Sequence, residues 1–150
     1  MIQLAQSIQG RWGGLDLWAH TAIHAPPLGP VTDIATREWD RTVACNMHAT
    51  RGLITLLAPL LRVRQGTALF FDDARAGQPY YGAYGATKAG QIALARSWQA
   101  ETRRIGPRIL IDDPAPMPTA LRARFHPGED RSTLTHPRDE AARILGSLLD

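Results

Sequence analysis

Tyr80-Tyr81-Gly82-Ala83-Tyr84-Gly85-Ala86-Thr87-Lys88-Ala89-Gly90 is the stretch on which the reading of this chain turns. It follows an apolar run, Thr67-Ala68-Leu69-Phe70-Phe71, closed by Asp72-Asp73 and by a loop containing Gly77 and Pro79. It opens a helix predicted to run to about residue 104, where Gly106-Pro107 stops it. Arg108-Ile109-Leu110-Ile111 then reads as the next strand. Strand, connection, helix and strand in that order describe a βαβ unit. Tyr84 and Lys88 are four residues apart, so a helix puts them on one face. A phenol ordinarily titrates near about 10, and a neighbouring ammonium favours its ionised form. The pair is therefore a candidate proton donor and acceptor. The chain has 17 Lys and Arg together, and Lys88 is the single lysine among them. A compact, movable ammonium is used where a guanidinium would behave differently.

Outward from that stretch the same alternation continues. Residues 1–9 place Ile2, Leu4, Ala5 and Ile8 at helical spacing, with Gly10, Gly13 and Gly14 expected to end the helix. Leu15-Asp16-Leu17-Trp18-Ala19-His20 reads as a short buried strand, and the three prolines and glycine of 25–30 as a loop. Thr32 or Asp33 suits a short turn before a long helix over 36–61. The apolar side of that helix is Trp39, Val43, Met47, Leu53, Ile54, Leu57 and Leu60, and Pro59 falls near its end. Asp112-Asp113 closes the third strand, and Pro114, Pro116 and Pro118 keep the next segment extended. A short helix over 119–125 and a final helix from Pro137 to Leu149 complete the pattern. The order α-β-α-β-α-β-α predicts one α/β domain over 1–150, a parallel sheet with helices on both faces. Ligands of such sheets bind beyond the carboxyl ends of the strands. His20 to Ala22, Asp72 and Asp73, Tyr84, and Asp113 to Thr119 are all expected at that edge.

Composition narrows the function classes. Apolar residues make up 44% and charged residues 21% of the chain, which is globular rather than disordered. The net charge of +3 comes from scattered arginines, with no zinc-finger spacing or aromatic RNA-binding motif, so nucleic acid is not expected as a partner. The single cysteine, Cys45, excludes an internal disulfide and suits a reducing compartment. No signal peptide and no bilayer-length apolar run is seen, so the expectation is a soluble cytoplasmic protein without a membrane partner. His20 and His24 are separated from a common helix by the adjoining prolines, so no metal pair is expected. His48 reads as a surface or interface residue, and Trp12, Trp18, Trp39 and Trp98 as core or interface aromatics.

In arrangement the chain resembles the short-chain dehydrogenase/reductase family. Tyr84-Gly85-Ala86-Thr87-Lys88 looks like that family's Tyr-x-x-x-Lys signature. Trp39-Asp40-Arg41-Thr42-Val43-Ala44-Cys45-Asn46 resembles the helix that carries its catalytic asparagine, here Asn46, and Leu57-Ala58-Pro59-Leu60-Leu61 looks like the end of that helix. Asp113-Pro114-Ala115-Pro116-Met117-Pro118-Thr119 resembles its Asn-Pro-Gly-x-x-x-Thr loop, and the strand leading to Thr21 and Ala22 is similar to the one entering its Asn-Asn-Ala-Gly motif. The resemblance implies a partial, doubly wound Rossmann-like domain, its central and catalytic part, with the N-terminal cofactor-binding half absent. It also implies NAD or NADP as cofactor and a small carbonyl or alcohol as substrate. Tyr84 would exchange the proton, Lys88 would lower its pKa and hold the nicotinamide ribose, and Asn46 would hold a water in a proton relay. Thr21, Ala22, Pro114 and Thr119, with Tyr84 and Lys88, would contact the cofactor.

The family's catalytic serine has no match here; Asp72 and Asp73 stand near its place, and Asp72 is taken as its stand-in. A hydroxyl can donate to a substrate oxygen, which an ionised carboxylate cannot do. A carboxylate there is also expected to raise the Tyr84 pKa. Ile23 and Ala115 occupy two glycine positions of the pattern. The alternative to an oxidoreductase is a catalytically silent relative serving as a binding or assembly module. In the resembled family the helices matching 36–61 and 82–104 form the dimer interface. That implies a homo-oligomer here, with Leu53, Leu56, Ala93, Trp98 and Ala100 on an outward apolar face.

Overall fold

The computed structural model describes residues 1–149, arranged as two compact units, Met1–Ile111 and a second that begins at Asp112. In the first unit, helix α1 (Ile2–Trp12) leads into strand β1 (Leu17–His20). A long helix follows in three parts: α2 (Thr36–Val43), a π turn (Ala44–His48) and α3 (Ala49–Arg64). Strand β2 (Thr67–Phe71), helix α4 (Gly82–Thr102) and strand β3 (Arg108–Asp112) complete the sheet, whose order is β1-β2-β3. β1 and β2 run parallel, with Leu17 opposite Thr67 and His20 opposite Phe70. The second unit carries α5 (Ala120–Phe125) and α6 (Pro137–Leu149).

The α/β class and the parallel sheet are as the strand–helix alternation predicts. Several details differ, for identifiable reasons. Gly10 lies inside α1, which ends only where Gly13 takes a left-handed conformation with φ 70°. β1 is an edge strand of the three, so Leu17 and Ala19 are exposed and only His20 is fully buried. The long helix continues to Arg64, beyond Pro59, because Gln65 closes it in the left-handed region with φ 52°. Of the two places read for Trp98, core and outward face, the structure takes the core, while Trp12 and Trp39 are 60% and 41% exposed. Leu53 and Leu56 are half-buried and Ala93 and Ala100 exposed.

Leu61, Ala68, Phe70, Ile92, Ala95, Trp98 and Ile109 form the core, with Trp18, Ile54 and Ala58 packed against it. Phe70 is the centre of an aromatic group. It meets Trp18 edge-on at 5.4 Å and Trp98 edge-on at 6.3 Å, the geometry that ring quadrupoles favour. Ala68 and Phe70 face this core because a strand presents alternate residues to one side. The buried stripe of α4 is divided along its length. Its first half is polar (Tyr84, Thr87, Lys88, Gln91) and its second half apolar (Ile92, Ala95, Trp98). The apolar half anchors the helix to the sheet and so fixes where the polar half stands. Among the described residues no helix is long and apolar enough to cross a membrane.

The turn from α3 into β2 depends on Gly66. Its amide donates to Leu61 O at 2.8 Å, its carbonyl accepts from Arg108 N at 3.1 Å, and a Cβ there would overlap the Leu15 and Asp16 carbonyls. Gly66→Ala is expected to lower the unfolding free energy by about 1–3 kcal/mol, as overpacking of a well-filled site does. Gly128→Ala, where a Cβ meets open space, should change it by less than about 0.5 kcal/mol. Urea denaturation of the two variants checks the contrast.

Candidate active site

Four elements bring polar side chains together where β1 and β2 end. Tyr84 and Lys88 come from α4, Asn46 from the π turn, His20 from the end of β1, and Asp73 from the loop after β2. Tyr84 is 1% and Lys88 6% exposed, which confirms that the two share the buried face of α4. The Tyr84 hydroxyl donates to Asp73 Oδ2 at 2.9 Å. Asp73 Oδ1 accepts from Arg75 Nε at 3.2 Å, and the Arg75 guanidinium lies 5.3 Å over the Tyr81 ring. Asp72 accepts instead from Arg96 at 3.0 Å. The carboxylate at the tyrosine is therefore Asp73, not Asp72, because strand β2 ends at Phe71 and the chain turns between the two aspartates.

Asn46 is fully buried and its side chain is used in full. Oδ1 accepts from the His24 amide at 2.7 Å, while Nδ2 donates to His24 O and to Thr87 Oγ1, both at 3.0 Å. These contacts tie the loop after β1 to both long helices. A π turn brings one extra residue into the helix, and here it is closed by the Ala49 amide donating to Ala44 O. Asn46 O accepts from Thr50 Oγ1 at 2.8 Å and from Gln91 Nε2 at 3.2 Å.

Gln91 joins the two halves of the site. Its Oε1 accepts from Lys88 Nζ at 2.8 Å, and its Nε2 reaches Thr50 Oγ1 at 3.0 Å and His20 Nε2 at 3.2 Å. An ammonium has only donors, so the amide must turn its oxygen to Lys88 and its nitrogen to the acceptors. The Thr50 hydroxyl proton goes to Asn46 O, so His20 Nε2, 2.8 Å from Thr50 Oγ1, is the donor of that contact and lies 3.2 Å from Gln91 Nε2. Gln91, Thr50 and Thr87 were not singled out on the sequence. The signal for Gln91 was its spacing, since Tyr84, Lys88 and Gln91 recur on one helical face.

Thr21 and Ala22 are exposed just beyond β1. Pro114 and Thr119 belong to the second unit, where Thr119 caps α5 by accepting from the Arg122 amide at 3.3 Å. Beside Tyr84 a cleft of about 140 Å³ is lined by the prolines of the loop after β1, by Ile34 and Glu38, and by Tyr80. Tyr80 holds its backbone at φ 71°, a conformation a bulky residue rarely adopts, and its carbonyl accepts from Gly29 N at 3.2 Å.

A family model described as enoyl-(acyl carrier protein) reductase matches residues 1–144. The chain belongs to the short-chain dehydrogenase/reductase family. Among curated relatives, the oxidoreductase YciK of Escherichia coli K12 is 28% identical over 139 residues, 91% of this chain and 55% of YciK. A mouse protein, dehydrogenase/reductase SDR family member 4, is 27% identical over 94 residues, 61% of this chain and 34% of the mouse protein. The chain thus spans about half the length, or less, of the curated relatives it matches. A short-chain dehydrogenase from Escherichia coli CFT073, solved with NADPH, superposes with a TM-score of 0.88 at 27% identity, covering 99% of this chain and 62% of that one. One from Shigella flexneri 2a, solved with NADP, gives 0.83 at 28% identity over 92% of this chain and 59% of that one.

In this short-chain dehydrogenase/reductase the electrostatics of the site follow the carboxylate, as expected of one at that place, and not the ammonium. Lys88 does not bring the Tyr84 phenol down. Burial first, and then the Asp73 carboxylate, hold it well above the usual range. Lys88 itself is pushed below the ordinary lysine value by burial, against the pull of Asp73 and Asp72. His20 is pushed down to about 4, mainly by burial and also by Lys88. A neutral His20 can still donate from Nε2 to Thr50 Oγ1.

That displacement has a stability consequence. The unfolded chain binds a proton at His20 near pH 6.5 and the folded chain only near about 4, so the stabilisation is complete above 6.5 and is lost as pH falls towards 4. The loss is on the order of 3 kcal/mol over that window. Thermal unfolding from pH 7 to pH 4 should show a shallower fall for His20→Gln than for the wild type, because the variant has no imidazole to protonate.

Proposed function

We propose that this chain is the catalytic segment of an oxidoreductase that moves a hydride between NAD or NADP and a small carbonyl or alcohol, with Tyr84 as proton donor and acceptor. The observation that carries this reading is the buried Tyr84 phenol, its one proton already in a 2.9 Å hydrogen bond, on the same helical face as the single lysine. Relatives named as oxidoreductases and dehydrogenases, two of them solved with NADP or NADPH, support it.

The residues present suit the ribose end of such a cofactor. The Lys88 ammonium has three N–H donors; Gln91 takes one, and a ribose can accept from the others. Thr21 and Ala22, exposed beyond β1, would line the same approach. When bound, the nicotinamide would accept or supply the hydride. Pro114 and Thr119 keep their proposed cofactor role from the loop they share with the family pattern. The chain's own work is to seat the substrate oxygen beside Tyr84 and to move one proton. The cleft lined by Ile34 and Tyr80 offers an apolar seat for the rest of a small substrate. Assembly as a homo-oligomer through α3 and α4 belongs to the same reading, with Leu53, Leu56, Ala93 and Ala100 as its apolar positions.

Carbonyl reduction in a full-length context, followed by nicotinamide absorbance, tests this reading. Tyr84→Phe has no transferable proton, so turnover should fall by about 100-fold or more. A Tyr84→Phe variant that keeps most of its turnover would rule out the assignment. Lys88→Arg should also be severe, since a guanidinium fits neither the Gln91 oxygen nor the buried space of an ammonium.

A further inference from the structure

We propose that Asp73 is the acceptor of the Tyr84 proton during alcohol oxidation, so that the proton leaves through the 72–78 loop and not through Lys88 and Asn46. The proposal rests on the oxidoreductase reading above, which names the oxidised nicotinamide as hydride acceptor.

A phenol has one proton, and here it is directed at Asp73 Oδ2, 2.9 Å away. The acceptor is held in place from several sides. Arg75 Nε bonds its other oxygen at 3.2 Å, and Arg75 is itself fixed by Gln78 at 3.1 Å and by the Tyr81 ring. The Asp73 amide donates to Asp72 Oδ1 at 2.8 Å, and Asp72 is tied to Arg96 on α4. The loop can descend this far because residue 85 is glycine. A Cβ there would stand 2.7 Å from Arg75 O.

The groups of the expected alternative route are partly engaged elsewhere, and none of them receives the Tyr84 proton in this structure. The Asn46 carbonyl, one place for a relay water, already accepts from Thr50 and Gln91. The Asn46 side chain bonds His24 and Thr87, and Gln91 holds one of the three Lys88 N–H groups. Asp73, by contrast, can pass a proton on, because its side chain is 29% exposed. Burial and the adjacent carboxylate also keep Tyr84 from ionising alone, so its proton has to leave as another arrives.

The step balances as follows. The carbinol C–H bond breaks and its hydride goes to the oxidised nicotinamide. The substrate O–H proton passes to Tyr84 Oη as the Tyr84 proton passes to Asp73 Oδ2. The products are a carbonyl compound, reduced nicotinamide and a neutral Asp73 carboxyl, which then protonates water. Carbonyl reduction is the reverse.

Two measurements on the full chain decide the matter. The first follows [4-¹³C]tyrosine by NMR, with the Tyr84 signal assigned by its loss in Tyr84→Phe. In Asp73→Asn and Asp73→Ser the Tyr84 phenol should ionise at least about one pH unit below the wild type; an unchanged titration in both overturns the proposal whatever the turnover. The second is alcohol oxidation with NAD or NADP. Asp73→Asn should lose about tenfold or more, and formate should restore oxidation to Asp73→Gly, a rescue that a merely structural role would not show. Wild-type oxidation by Asp73→Asn while Tyr84→Phe is inactive would overturn the proposal and leave the oxidoreductase reading standing. Wild-type oxidation by Tyr84→Phe would remove the reading itself.

Discussion

Tyr84, Thr87, Lys88 and Gln91 lie on the buried stripe of a helix, and every polar atom placed there needs a partner. Leaving one unsatisfied costs about 1–3 kcal/mol, and more for a charged group. An ammonium is the most demanding of the four. Lys88 meets the Gln91 oxygen, which turns the Gln91 nitrogen to donate to Thr50 and the Asn46 carbonyl, with His20 Nε2 3.2 Å away. The π turn, the end of β1 and the start of the loop after it are therefore all positioned by the demands of one amide. Partly satisfied networks of this kind cost more than an apolar core, so the arrangement holds as a unit. The aromatic packing of Phe70 and Trp98 further along α4 keeps that unit at the edge of the sheet.

The second constraint is the contest over the Tyr84 phenol. A lysine on the same face favours the phenolate; burial and a carboxylate favour the phenol. The carboxylate touches the hydroxyl at 2.9 Å, whereas the ammonium turns to Gln91, so the neutral form wins. A tyrosine held in this state donates its proton readily only if the acceptor returns it. Asp73 makes the residue part of a pair, and the pair depends on Gly85 and Arg75 for its geometry.

Much of the fold was legible in the sequence because its strands are short apolar runs between clear stops. Thr67–Phe71 lies between Gly66 and Asp72-Asp73, and the last helix begins at Pro137 and runs to Leu149, as its pattern predicts. The interruption at Asn46 was not legible. A π turn leaves the apolar periodicity of α2 and α3 nearly intact, and its cause is a set of hydrogen bonds to His24, 22 residues away. For Trp98 the sequence left core and interface both open, since spacing on a helix cannot say which of two apolar stripes meets the sheet.

The sequence by itself determined the alternation of strands and helices, the shared face of Tyr84 and Lys88, and the presence of a carboxylate where a serine is the family's choice. These follow from local geometry, from the 3.6-residue period of a helix and from the residue types themselves. Only the tertiary structure decided that Asp73 rather than Asp72 meets Tyr84, that Lys88 turns to Gln91, and that burial and the carboxylate outweigh the ammonium at the phenol. Each of those outcomes depends on which group lies within about 3 Å of another across separate elements, and on how much water the packing leaves between them.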